Sequence, residues 1–492
     1  MKVLDSLLYD VRGMLQNPAF RYSKTVFRDP LQAAFTHALK HLDALDTCAV
    51  GPRATLETLR GRLHRPLQTE PMDPSRVVEE LARDVEGGLA VTGSGRFFGW
   101  VIGGALPAAL AADWLTGVWD QNAGIYQTSP AASVIEEVAG GWLKDILGLP
   151  AEASFALVTG CQMAHVTCLA AARHKVLEWV RWDVERRGLC GAPPIRILAN
   201  EQCHGSVQRA VRLLGMGTDN IEYIPAAAEP LHAALRRAEG NPIILMLQAG
   251  EVNTGVFDDF ATLVPLAHKY GAWVHVDGAF GLWAGASPRY RHLLEGVAGA
   301  DSWATDGHKW LNVPYDCGYA FVAHPEAHRA STSFSASYLP MGNAGRDELD
   351  WTPEFSRRAR GFATYAALRQ LGRGGVADVV DRCCHAAREI VAGLSAIEGV
   401  DVLAVPVINQ GLVRFPDPAN VDHDRHTDRV IAAIQADGEA YFGGATWRGM
   451  RVMRISVSNW RTNGDDVRRV VEAVARCVAA ARAESKTLTE QR

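Results

Sequence analysis

The chain has 492 residues, is 48% hydrophobic and 21% charged, and carries a formal net charge of -5. Such values fit a soluble globular protein of two or three domains. They exclude a basic field for nucleic acid, and the longest apolar run, Val101 to Ala112, is too short and too interrupted by Gly103, Gly104 and Pro107 to span a bilayer.

In chain order, Met1 to Leu15 mixes apolar residues with Lys2, Asp5, Asp10 and Arg12, which predicts an amphipathic helix rather than a signal peptide. The segment 1–95 reads as helical, broken at Gly51-Pro52, Pro66 and Pro71 to Pro74. From 96 to 375 short apolar runs alternate with helical patterns. Strands are expected at Phe155 to Thr159, Ile195 to Ala199, Ile243 to Gln248, Trp273 to Asp277, Ser302 to Thr305 and Gly318 to Ala323. Helices are expected at Met163 to Arg187, Ser206 to Leu214 and Phe260 to Tyr270. That rhythm predicts an α/β domain, a mostly parallel sheet covered by helices, whose ligand site lies beyond the carboxyl ends of the strands. After Gly374-Gly375, residues 376–492 read as a smaller α+β domain. It has a helix at Val376 to Ile397, strands at Val400 to Val405, Gly411 to Phe415 and Arg451 to Ser456, and a last helix at Asp465 to Glu484.

Nine cysteines at irregular spacing, with Cys383 and Cys384 adjacent, show neither a disulfide framework nor a metal-ligand pattern. They read as thiols of a reducing compartment, the cytoplasm. The cluster Asp422, His423, Asp424, His426 and Asp428 lacks regular ligand spacing and reads as a solvated loop, so no metal is expected.

Two motifs carry the chemistry. His275-Val276-Asp277-Gly278-Ala279-Phe280 puts a carboxylate at the end of one strand, and Thr305-Asp306-Gly307-His308-Lys309-Trp310 puts a lysine just after another. Eight of the 50 basic residues are lysines, and none lies between Lys309 and Lys486. A chain that otherwise prefers arginine has an amine here, where a group able to lose its proton is needed. A lysine and a carboxylate so placed suit a pyridoxal phosphate enzyme, in which the lysine forms the Schiff base and the carboxylate keeps the ring nitrogen protonated. The plain alternative is a solvated lysine and a helix-capping aspartate.

With these motifs in this order, the chain resembles the pyridoxal phosphate-dependent group II decarboxylases, the aromatic amino acid, glutamate and histidine decarboxylases of aspartate aminotransferase-like fold (fold type I). The resemblance runs from roughly Arg96 to Asp466. It implies that Lys309 carries the cofactor, that Asp277 pairs with the pyridine nitrogen beside Ala279, and that burial beside the cofactor lowers the lysine pKa. His204 would stack on the ring; from its residues alone it is a helix-start histidine satisfied by backbone. The turn Gly160-Cys161-Gln162 would receive the phosphate through backbone N–H groups, with His308 also in contact. Relatives have Ser or Thr where this chain has Cys161 and Met163, which puts weight on backbone amides and Gln162. The same turn could be only a tight packing turn.

Arg454 resembles the arginine that holds the substrate α-carboxylate, or is a solvent-facing charge. Phe97, Phe98 and Trp100 fall where relatives place an aromatic wall of the substrate pocket, and such residues equally pack dimer cores. The stretch Ser331 to Trp351 resembles the catalytic loop of the family, with Gly342 and Gly345 as hinges. A loop tyrosine delivers a proton to Cα in aromatic amino acid decarboxylases, and its loss is associated with aldehyde formation. Indole is too weak an acid for that task, which rules out Trp351 and leaves Tyr338, or failing it His204. The alternative for Tyr338 is packing against a neighbouring subunit.

The expected protein is a cytoplasmic homodimeric decarboxylase of an L-amino acid with no nucleic-acid or membrane partner. Its rivals are an aldehyde synthase or transaminase on the same cofactor, a non-catalytic member of the fold, and a cofactor-free binding protein.

Overall fold

Strands that are apolar along their whole length need helices on both faces, and the computed structural model, which describes residues 26–334 and 345–490, has that arrangement. The helix expected at Met1 to Leu15, and Tyr338, Gly342 and their neighbours in 335–344, lie outside the described residues. Seven strands, β1 (Ser154–Val158), β2 (Arg196–Ala199), β3 (Ile221–Tyr223), β4 (Ile243–Gln248), β5 (Trp273–Asp277), β6 (Ser302–Asp306) and β7 (Gly318–Val322), form one sheet in the order β1-β7-β6-β5-β4-β2-β3. The pairings from β3 through β6 are parallel, whereas β7 runs antiparallel to both β6 and β1. Separate apolar clusters pack on the sheet, one containing Trp283 and Trp303 and the other Trp273 and Ile197.

The second sheet is antiparallel and four-stranded: β8 (Asp401–Ala404), β9 (Gln410–Arg414), β10 (Gly443–Trp447) and β11 (Met450–Ser456), in the order β10-β11-β9-β8. No helix among the described residues is long and apolar enough to cross a membrane.

Several elements differ from expectation for identifiable reasons. The helix expected at Met163 to Arg187 ends at Trp179, and a short helix follows at Val184–Arg187; between them Arg181 has φ 61°. The helix expected from Val376 begins at Gly361 and runs to Ser395, with its regular geometry broken at Gly372, where φ is 58° and ψ is -177°. The acidic cluster expected as a solvated loop is instead the start of a helix, His423–Asp437, because the Asp422 side chain accepts the Arg425 N–H and caps it. Its acids engage arginines: Asp424 pairs with Arg414 and Asp428 with Arg451, both at 2.6–2.8 Å, while His426 is buried.

One buried ion pair fixes the helix Pro130–Leu147 to the sheet. Arg357 donates to both carboxylate oxygens of Glu136, at 2.9 and 3.1 Å, and also to the carbonyls of Ala123 and of Leu157 in β1. Neither side chain has any exposure. Removing one partner leaves the other charge buried and uncompensated. Arg357→Met is therefore expected to cost about 3–5 kcal/mol of stability, read from urea unfolding, and adding Glu136→Gln should recover part of it. A single variant that unfolds like the wild type would show that the pair carries no such weight.

Candidate active site

The parallel register of β5 and β6 sets the centre of the site. Asp277 is the last residue of β5 and pairs with Ala304, two residues before the end of β6 at Asp306. Residues two apart on a strand share a face, so the Asp277 and Asp306 carboxylates project from the same face of the sheet. Lys309 follows in the turn after β6, and its Nζ lies 2.8 Å from Asp306 Oδ2. Gly103 packs against this turn, with no room for a Cβ beside the Lys309 carbonyl oxygen. Gly318, at the start of β7, packs as closely on Gly160: an added Cβ would stand 2.5 Å from the Gly160 Cα.

Burial alone pushes the Asp277 carboxyl up, but His165, His204, Lys309 and the Ala279 N–H together hold it below the ordinary carboxylate range. The Ala279 N–H donates to Asp277 Oδ1 at 3.1 Å, and His165 Nε2 stands 3.6 Å from Oδ2. Lys309 departs from expectation. Burial works to lower its pKa, yet Asp306 and the charges behind it outweigh burial and raise it above the ordinary lysine range. Asp306 decides the difference, although the lysine motif alone assigns it no role.

A cavity of about 420 Å³ opens on these groups. All eight residues expected to hold the cofactor line it: Lys309, Asp277, Ala279 and His308 at the ends of β5 and β6, Gly160, Cys161 and Gln162 at the start of the helix Cys161–Trp179, and His204. His204 caps the helix Gly205–Leu213, its Nδ1 2.7 Å from the Ser206 hydroxyl. Asp306, Gln248, Phe280, Val252 and Tyr315 also line the cavity and were not anticipated. Tyr315 stacks on His308 with ring centroids 4.2 Å apart. The cavity suits pyridoxal phosphate: an amine, a buried ionised carboxylate and a helix N-terminus converge on it, and Gln248 Nε2 is a buried donor with no hydrogen-bond partner.

The expected substrate residues stand elsewhere. Phe97 and Phe98 are buried, stacked on Tyr441 and Phe442 of the small unit, and neither lines the cavity. Trp100, 57% exposed and with φ 52°, stacks on Tyr441. Arg454 on β11 is withdrawn from solvent, and burial lowers its pKa against the opposing pull of Glu251. Its field reaches His204, and its Nε has no hydrogen-bond partner. The neighbouring Arg451 is instead paired with Asp428.

Behind Asp277 runs a buried chain of polar groups. His165 Nδ1 lies 2.9 Å from His275 Nε2, His275 Nδ1 lies 2.9 Å from the Ser302 hydroxyl, and Trp273 Nε1 donates to that hydroxyl at 2.9 Å. His165 sits inside an alanine-rich helix, where nothing in the sequence marks it. His275 opens the first motif, whose pattern assigns it no role.

Cys161 takes a main-chain role. Burial first, and then the charges of Asp306 and Asp277, raise its thiol well above the usual range, so it stays protonated and inert. Iodoacetamide at pH 8 is expected to label the exposed Cys190 and leave Cys161 unmodified, as peptide mass mapping would show. Comparable labelling of both would mean that the turn at the start of the helix Cys161–Trp179 is open and reactive.

Comparison with known proteins places the chain in a family. The family model described as pyridoxal-dependent decarboxylase conserved domain matches residues 57–416. A phenylacetaldehyde synthase from a Rosa hybrid cultivar is 26% identical over 82% of this chain and 84% of its own length. An aromatic-L-amino-acid decarboxylase from Bacillus atrophaeus is 24% identical over 88% and 91%. An acidic amino acid decarboxylase from Homo sapiens is 26% identical over 68% and 66%. The fold matches that of Catharanthus roseus tryptophan decarboxylase, solved with L-tryptophan, at a TM-score of 0.83 and 19% identity, covering 94% of this chain and 99% of that one.

Proposed function

Because this chain belongs to the pyridoxal-dependent decarboxylase family, and so is a pyridoxal phosphate-dependent carboxy-lyase, we propose that it converts an aromatic L-amino acid to the amine. The observation that carries this reading is the single cavity in which Lys309, Asp277, His204 and the helix start at Gly160 meet. Pyridoxal phosphate supplies an aldehyde for an amine to attack and a ring that accepts electrons from Cα. Lys309 provides the amine that holds it. Asp277, ionised and buried, keeps a proton on the ring nitrogen. His204 covers the ring, Ala279 lies beside Asp277, and the Gly160–Gln162 turn with His308 binds the phosphate. Arg454, whose Nε has no partner, takes the substrate carboxylate. Phe280, Val252 and Tyr315 offer an apolar wall for the side chain. Trp100, outside this cavity, presents its exposed face to a second subunit. Proton delivery to Cα falls to Tyr338, or to His204.

Two coarser features support the assembly and setting of this reading. The helix Arg28–Ala44 buries none of its residues and exposes Leu31, Phe35, Leu39 and Leu42 along one side, a surface suited to a homodimer. All nine cysteines are free, in keeping with the cytoplasm. The aldehyde synthases among the relatives favour one second reading, in which the product is an aldehyde with peroxide. Incubating the protein with a panel of amino acids and weighing the products decides between them: amine supports decarboxylation, whereas aldehyde with peroxide replaces it.

Borohydride reduction followed by peptide mapping is expected to label Lys309, and Lys309→Ala to abolish both label and turnover; a label on another lysine ends the assignment. For Asp277→Asn the expected loss is about 10²–10³-fold in kcat with a smaller change in KM, because a lost charge–charge contact to the ring acts mainly in the transition state. A variant with near-normal kcat would assign the ring nitrogen to another residue.

A further inference from the structure

The Asp306 carboxylate stands where two needs of the site conflict. Its side chain is 3% exposed. One oxygen, Oδ2, faces Lys309 Nζ at 2.8 Å. The other, Oδ1, accepts the Cys161 main-chain N–H at 2.5 Å and lies 3.4 Å from His308 Nε2. That N–H belongs to the first residue of the helix Cys161–Trp179, the helix end proposed above to bind the phosphate. A phosphate dianion and an ionised carboxylate cannot both occupy one N–H in a buried site without strong repulsion. A proton on one of them removes it.

We propose that Asp306 is a positioning residue that couples phosphate binding to release of the Lys309 amine. As a carboxylate it holds Lys309 as the ammonium and fills the helix end. When phosphate arrives, Asp306 takes up a proton from solvent and turns from acceptor to donor toward a phosphate oxygen. The bond made is O–H on Asp306, no bond to carbon changes, and no oxidant is needed. Neutral Asp306 no longer stabilises the ammonium, so Lys309 sheds its proton more readily once the phosphate is seated. Lysine reactivity is thereby reserved for a phosphorylated ligand. The inference rests on the proposed placement of the cofactor at this turn.

The other groups facing Asp306 are poorly suited to that proton. From the helix, His165 is kept neutral by burial, and the Cys161 thiol already carries its proton. His308, beside Lys309, is lowered by burial. From β7, Tyr319 is pushed well up by burial and keeps its proton. From β5, Asp277 is held ionised by its own partners. Tyr315 and His204 also feel the Asp306 charge, from the cavity side.

The probes are 4′-deoxypyridoxine 5′-phosphate and 4′-deoxypyridoxine, which lack the aldehyde, so no bond to Lys309 complicates the proton count. Binding to the full chain, stripped of cofactor by phenylhydrazine and dialysis, is followed by calorimetry in two buffers of different ionisation heat between pH 7 and 9. At pH 7, with Lys309 still an ammonium, the wild type is expected to take up about one proton with the phosphorylated probe and none with the other, and the count should fall toward pH 9 as Lys309 releases its own. Asp306→Asn should take up none and bind the phosphorylated probe more tightly at pH 8. Competitive acetylation should show the Lys309 midpoint falling when that probe binds to the wild type, with no such fall in the variant. Equal proton counts for the two probes on the wild type would overturn the inference even if the variant failed to fold, as would equal counts in wild type and variant. If the phosphate conferred no gain in affinity over 4′-deoxypyridoxine, the placement of the cofactor itself would fall.

Discussion

Two carboxylates end neighbouring parallel strands and face the same side, and the rest of the site follows from keeping them charged inside the protein. Burying a charge is costly unless it is paired and hydrogen-bonded. Asp306 is satisfied by Lys309 and by a helix N–H; Asp277 by the Ala279 N–H, with His165 and His204 acting through space. Lys309 serves both acids, which explains why its amine is held as a cation despite burial. An arginine could balance these acids equally well but could not surrender its proton, so under the proposed chemistry the lysine that balances the acids is also the one that would react.

The polar chain behind Asp277 has a consistent hydrogen pattern. If His165 presents Nε2–H toward Asp277, its Nδ1 must accept, so His275 carries its hydrogen on Nε2 and accepts at Nδ1 from the Ser302 O–H. The Ser302 oxygen then accepts from Trp273 Nε1. Each donor has one acceptor, and burial, which pushes His275 down to about 3, keeps that ring neutral. Trp273 and His275 lie on β5 and Ser302 on β6, so the chain also fixes the two strands whose ends carry the acids.

What the sequence revealed and concealed follows from range. β4 and β5 were legible to the residue because each is a short, mostly apolar run that ends on a polar residue and is buried throughout. β3 and β10 were missed because they are partly exposed: β3 is a three-residue edge strand, and β10 alternates intermediate and exposed residues. Eight of the residues that line the cavity were legible through motifs, in which neighbours in sequence are neighbours in space. Asp306 lay in plain view, but its contact with Cys161 joins residues 145 positions apart, and no local pattern reports it. His165 was invisible for the same reason, since its partners His275 and Asp277 come from a different element.

The aromatic segment shows how the small unit reaches the site. Phe98 donates its N–H to the Tyr441 carbonyl and accepts from the Ser456 N–H, and with the isolated bridge between Phe97 and Tyr441 this ties the segment to the small sheet. Five residues on, the Gly103 N–H donates to the His308 carbonyl beside Lys309. Asn312, with φ 55°, closes the circuit. Its Oδ1 accepts from the N–H groups of Gly104 and Trp460, and its Nδ2 donates to the carbonyls of Trp310 and Ser458. The route from Lys309 to β11, and so to Arg454, therefore runs through few residues, most of them locked by main-chain hydrogen bonds. Phe97 and Phe98 are buried along that route, their rings stacked on Tyr441 and Phe442. Arg454 is carried on β11, in a different sheet from the strands that end at Asp277 and Asp306, so its position relative to Lys309 is set by this hydrogen-bonded backbone.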